Sequence, residues 1–268
     1  PPTVTVRWGT PSRCPAPSTS WRGSRRFWEE VLIIIFEAYV TNLGKYNEGE
    51  LLSEPLKFPA ATEEVQAVLK RIGVEGLRYE EYFMAEYVSD IPGLAQSLGE
   101  YADIDELNHL AHLLSELNES ELDIFSAAVS AGEHTASVGD LINLVHNIGC
   151  YDFYRGITDD ETLGHIYVED MEMLDVPEPI LPYFDFEAYG RDARINENGR
   201  YINGGYMIRS GDSFEEIYHG KTDIPKEDRV FAFPPVPIRE QMAYYQEAAR
   251  RCFPQLFKEQ QKSDREER

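Results

Sequence analysis

The sequence predicts an α+β fold of three small units with a helical C-terminal extension. Three observations carry that expectation. Strand-like alternation and helical apolar periods are interleaved before residue 100 and again after residue 149, whereas 101–148 holds helical periods alone. Acidic residues dominate the surface pattern: from Tyr79 to Gly190 there are 25 Asp and Glu against one base, Arg155. Between the acids lie regularly spaced Leu, Ile, Val, Phe and Tyr, enough to build cores, which an acidic disordered tail lacks. The 268 residues leave room for two or three small domains. The expected parts are a basic leader at 1–30, an α+β unit at 31–100, a helical unit at 101–148, an α+β unit at 149–219, and a linker, helix and tail at 220–268.

In order along the chain, residues 1–30 are rich in Pro, Ser and Arg with no period, and read as poorly ordered. Val31–Leu43 reads as a strand, Asn47-Glu48-Gly49 as a turn, and Leu51–Phe58 as a second strand. A helix starts after Thr62, with Val65, Val68, Leu69 and Ile72 on one face and Gly73 as its stop. Tyr79–Val88 suggests a third strand. Asp103 then caps a helix in a capping-box arrangement with Glu106, burying Leu107, Leu110, Ala111, Leu114 and Leu117. Asp105, His109, His112 and Glu116 fall on its outer face. A second helix spans Glu119–Ala131 with Leu122, Phe125 and Val129 inward, and a third follows Ser137 with Leu141, Leu144, Val145 and Ile148 inward. Cys150–Arg155 reads as a strand, and Thr158-Asp159-Asp160-Glu161 as a capping box opening a helix to about Asp170. Tyr183–Tyr189 reads as a short helix and Tyr201–Ile208 as a hairpin turning at Asn203-Gly204. Phe233–Pro237 is an extended linker and Arg239–Phe253 an amphipathic helix, before a charged end at Ser263–Arg268.

The formal net charge of −23 is unevenly placed: residues 36–190 carry 32 acids and 6 bases, and 191–268 carry 14 of each. Such a field repels phosphate, so nucleic acid is a poor partner and a basic protein the natural one. Val31–Phe36 is too short for a membrane span or a signal-peptide core, and it runs on into a strand pattern. Cys14, Cys150 and Cys252 lie far apart and suggest neither a disulfide framework nor a metal site, which fits a reducing cytoplasm.

Three blocks resemble the ArdA antirestriction proteins: Phe36–Leu51 (FEAYVTNLGKYNEGEL), Cys150–Asp170 (CYDFYRGITDDETLGHIYVED) and Tyr183–Asp192 (YFDFEAYGRD). They come in the family's order, and the resemblance covers roughly residues 36–210. It implies a non-enzymatic mimic of duplex DNA, without cofactor or metal, that occupies the DNA-binding cleft of type I restriction–modification enzymes and contacts their methyltransferase core. It also implies an elongated homodimer joined through its C-terminal part, with the stretch like the family's antirestriction motif at about Leu163–Asp175. There Leu163, Ile166, Tyr167 and Val168 would lie at or near the dimer contact, and Glu169, Asp170 and Glu172 would extend the charged surface. Departures are the first 35 residues, Pro55 where members often carry Trp, and the charge-balanced tail after His219. Pro55 marks its strand as an edge or a bulge.

The remaining array members expected to imitate phosphates are Glu80, Glu81, Glu86, Asp90, Glu100, Asp103, Asp105, Glu106, Glu116, Glu119, Glu121, Asp123, Asp140, Asp159, Asp160 and Glu161. At one phosphate per ~1.7 Å of duplex axis, a net charge of −26 over residues 36–190 corresponds to roughly 44 Å of DNA. Rival readings stay open here. An acidic decoy or chaperone for another basic DNA-binding protein has the same charge, and paired carboxylates also serve hydrolases. His109 and His112 with Asp105 and Glu116 match metal-ligand types, although an outward solvated face explains them as well.

Overall fold

The computed structural model describes residues 34–252, and there the α+β expectation is realised with two small antiparallel sheets among helices. The expected leader at 1–30, the start of the first strand at Val31 and the end beyond Cys252 lie outside the described residues.

The first sheet is ordered β2-β1-β3, from β1 (Phe36–Asn42), β2 (Ser53–Phe58) and β3 (Tyr82–Ser89). Phe36, Ala38 and Val40 alternate inward and pack with Val65, Val68, Leu69 and Ile72 of helix α2 (Thr62–Ile72). Pro55 sits on the edge strand β2 opposite Tyr39, where its missing N–H breaks no ladder in the sheet interior. The first strand ends at Asn42 rather than Leu43, because a short helix α1 (Leu43–Asn47) starts there. Asn42 Oδ1 accepts from the Lys45 N–H at 2.9 Å, and its Nδ2 donates to the Ile72 carbonyl at 3.0 Å. One fully buried side chain thus caps the start of α1 and an orphan carbonyl at the end of α2. Five residues are too few to leave a helical period, which is why α1 was illegible.

The middle of the chain holds α3 (Leu94–Ser97), α4 (Ile104–Glu116), α5 (Glu119–Ser130) and α6 (Val138–His146). Leu107, Leu110, Ala111 and Leu114 are buried as their spacing requires, and Asp103 and Ser137 cap α4 and α6 as expected. The expected box at α4 is half made, since Glu106 Oε1 accepts from the Tyr218 hydroxyl instead of the Asp103 N–H. A reciprocal box stands at Asn118 and Glu121, opening α5.

The second sheet is ordered β4-β6-β5, from β4 (Tyr151–Arg155), β5 (Arg200–Ile202) and β6 (Gly205–Arg209). Its hairpin turns at Asn203 (φ +49°) and Gly204 (φ +76°), two left-handed residues in succession as the Asn-Gly pair requires. Helix α7 (Asp160–His165) is capped by Asp159, not Thr158, through the Thr162 N–H at 2.8 Å, and widens into a π-type turn over Ile166–Asp170. Helix α8 (Phe186–Glu197) runs well past the expected end at Tyr189, because Tyr189 and Ala193 pack on the smaller core that α7 shares and Arg194 pairs with Asp160 of α7. The two helices meet at Gly164 and Gly190, where a Cβ would come within 2.0 Å of the Phe186 carbonyl and 1.9 Å of the Asp160 carbonyl.

A continuous core runs from Phe36 to Val230, and a smaller one gathers Ile157, Leu163, Tyr167 and Tyr206. The unexpected contributors are Tyr218, Ile224 and Val230, from a stretch without strands that lies over α4 and α6. Beyond the extended Pro234–Pro237, helix α9 (Ile238–Cys252) forms as expected and buries none of its residues.

Because Asn42 closes two helix ends from a dry position, Asn42→Ala is expected to lower unfolding free energy by about 2 kcal/mol. Urea denaturation measures this, and a loss below about 0.5 kcal/mol would contradict the double-capping role.

Candidate partner-binding surface

The acidic side chains divide into two groups by what they touch. Glu80, Glu81, Glu86, Asp90, Glu100, Glu116, Glu161, Asp170 and Glu172 are exposed and make no side-chain hydrogen bond or ion pair within the described residues. The first five surround β3, an edge strand, and Glu100 is tied to it through its carbonyl, which accepts from the Met84 N–H at 2.8 Å. Asp159, Glu161, Glu169, Asp170 and Glu172 flank α7 and the turn after it. Of these, Asp159 caps its helix, and the Thr162 N–H holds its carboxyl below the usual aspartate range. Glu169 lies 3.0 Å from His165 Nδ1, one helical turn away.

The second group is held by the fold itself. Asp160 receives the Arg194 guanidinium at 2.7 and 3.2 Å and the Tyr201 hydroxyl at 2.7 Å, so its carboxyl is held low, chiefly by Arg194. Arg155 bonds both Glu119 and Asp123, tying β4 to α5. Glu121 closes the α5 capping box. Asp103 caps α4 and receives Lys221 Nζ at 2.7 Å. Asp105 Oδ1 accepts from the Val230 and Phe231 N–H groups at 2.8 and 2.7 Å. Asp140 is half-buried in the first turn of α6.

The outer face of α4 is therefore solvated only in part: Asp105 and His109 are covered, whereas His112 is half-exposed and Glu116 stands in solvent as expected. His109 is buried with Nδ1 2.7 Å from Asp228 Oδ2, and His112 Nδ1 lies 2.5 Å from Asp228 Oδ1. Both histidines are thereby partners of one buried carboxylate, and no group of three or more ligand-type residues suited to a metal occurs among the described residues. Asn108, Asn143 and Asn147 complete this grip. Asn143 and Asn147 accept from the N–H groups of Ile217, Tyr218 and Glu215 at 2.8 Å each, and Asn108 donates to the Asp228 carbonyl. Three Asn on otherwise apolar helix faces were the available signal, since a buried amide demands partners.

Leu163 and Tyr167, expected at a contact between copies, are buried in this chain's own smaller core, and Val168 is buried as well. The Tyr167 and Tyr206 hydroxyls both donate to Glu197 Oε2, at 2.8 and 2.9 Å. Ile166 is half-exposed, and beside it Met171, Met173, Leu174, Ile180 and Tyr183 form an exposed apolar run. No described helix is long and apolar enough to cross a membrane.

A family model described as antirestriction protein (ArdA) matches residues 38–208, close to two-thirds of the chain. None of the curated proteins compared with the chain matches it.

The Asp160 pairing carries a pH signature. A carboxyl held lower in the folded state stabilises the fold above its unfolded value and loses that contribution as pH falls below about 4. Asp160→Asn is expected to lower stability at pH 7 and to flatten the decline between pH 5 and 3. Denaturant midpoints across that range measure it; an unchanged slope would remove Asp160 from the acid response.

Proposed function

Because the chain belongs to the ArdA antirestriction family, we propose that it inhibits type I restriction–modification enzymes by standing in for duplex DNA in their DNA-binding cleft. The observation that carries this reading is the set of exposed carboxylates, free of partners within the described residues, that recurs on separate elements from Glu80 to Glu172. An enzyme's Arg and Lys are placed for phosphate oxygens, and a guanidinium donates to a carboxylate with the same two-pronged geometry. No base edges need imitation, because phosphate contacts supply much of the sequence-independent affinity.

The action is occupation rather than catalysis. The working form is an acidic homodimer in the bacterial cytoplasm. Its contact uses the region of Ile166 and the exposed Met171–Tyr183 run, with Leu163, Tyr167 and Val168 supporting that surface from beneath. Two copies set end to end lengthen the carboxylate array.

The test is displacement of labelled duplex DNA from a purified type I methyltransferase core. Stoichiometric displacement that weakens with added salt is expected. No displacement by folded protein would contradict the reading for that enzyme, and displacement only from other basic DNA-binding proteins would mark a different acidic decoy. In the same assay, any single exposed Glu→Gln change, such as Glu86→Gln, is expected to shift the midpoint less than about 3-fold, because each contact is one of many. Abolition by one such change, with folding intact, would contradict a distributed array.

A further inference from the structure

The segment from Phe214 to Phe233 lies outside the 38–208 family match, yet it makes the most extensive polar contacts that α4 has. It brings an ammonium to Asp103, two backbone N–H donors to Asp105 and a phenol to Glu106. It also places its own Asp228 between His109 and His112, and Ile224 and Val230 add apolar burial beneath. These are the donor types with which a DNA-binding protein would greet phosphate. The chain has supplied them to itself.

We propose that this strap is a specificity-determining element: a built-in occupant of the acidic face of α4 that confines partner binding to the carboxylates it leaves open. The inference rests on the mimic reading above. Duplex DNA offers phosphates all round its axis, so an unstrapped acidic body would serve cations approaching from any side. With the strap in place, Asp103, Asp105 and Glu106 hold the extension rather than the target. The open carboxylates include those around β3, those flanking α7, and Glu116 at the end of α4 beyond the strap's polar contacts. A strapped mimic therefore suits an enzyme that grips DNA along one open side better than one that must close cations onto the α4 face as well.

Three facts separate this from generic packing. The strap carries Lys221 onto a face whose own helix, α4, has no Lys or Arg, while Arg229 donates to the strap's own Thr222 and Ile224 carbonyls and so shapes it. Lys221 is held strongly protonated, first by its bond to Asp103 and then by the charges of Asp103, Glu106 and Asp105. The contacts are made by side chains of α4 at positions 103, 105, 106, 109 and 112, which together run along one side of the helix. An array meant for an outside partner would not be closed along its length by the same chain.

The test compares two full-length variants that remove acids from the two groups. In Asp105→Ala with Glu106→Ala, which removes both acceptors, amide hydrogen exchange at Val230 and Phe231 is expected to rise at least 10-fold, while the midpoint for displacing DNA from the methyltransferase core, per folded molecule, stays within about 2-fold. In Glu80→Gln with Glu81→Gln and Glu86→Gln, exchange at Val230 and Phe231 is expected to stay unchanged, while the low-salt midpoint weakens about 5-fold or more. The milder Lys221→Ala, at an exposed lysine, guards against misfolding and is expected to leave displacement as strong as wild type or stronger. The proposal is overturned if the Asp105/Glu106 variant weakens displacement as much as the β3 variant with exchange unaltered. Failure of the wild-type protein to displace DNA would instead refute the mimic reading, and the exchange data would still decide whether Asp105 and Glu106 hold the strap.

Discussion

Like-charge repulsion is the constraint around which this structure is arranged. Residues 36–190 carry 32 acids against 6 bases, and a body so charged resists compaction unless its acids are either dispersed in water or given donors. Both solutions are visible. The carboxylates around β3 and after α7 stand apart in solvent, where screening makes their mutual repulsion small. Those that lie between elements are met by N–H groups at helix starts, as at Asp103 and Asp159, or by cations. Among the described residues, apart from Arg155, the Lys and Arg side chains that reach the acids of the 79–190 stretch come from beyond Gly190: Arg194 to Asp160, Arg200 and Arg209 to Glu133, and Lys221 to Asp103. The charge-balanced C-terminal third thus acts as an internal counterion supply for the acidic body.

Under the proposed mimicry, that division decides which acids can receive an outside cation. A carboxylate already bonded by its own chain must lose that bond to receive an outside cation, whereas Glu80 or Glu172 loses only water. Exposed ion pairs contribute little individually, so affinity for a phosphate-binding cleft grows with the number of open carboxylates rather than with any one of them. The small residues at the α7–α8 contact, Gly164 and Gly190, let two helices approach closely and fix the acids of that end on rigid backbone.

Much of this was legible in the sequence because its cause was local. The apolar period of Val65, Val68, Leu69 and Ile72, the caps at Asp103 and Ser137, and the hairpin at Asn203-Gly204 are dictated by residues within a few positions of each other. The burial of His109 and the covering of α4 were not legible, because the covering residue Asp228 lies 119 positions away in a segment with no period of its own. The end of β1 depended on a single side chain, Asn42, bonding both to Lys45 and to Ile72. Among the candidate acids, exposure at Glu80, Glu81 and Glu86 followed from the pattern. The fate of Asp105, Glu106 and Asp160 was decided by distant donors that no spacing rule reveals.

The central claim is that the open carboxylates act together as a row of phosphates. It is tested most directly by the salt dependence of the association constant for a type I methyltransferase core, measured for a series of variants with successively more exposed acids neutralised. The account predicts a steep linear fall of log K with log salt, whose slope becomes shallower with each added Glu→Gln change around β3 and after α7. A slope that stays constant through the series, or is flat from the start, would contradict it.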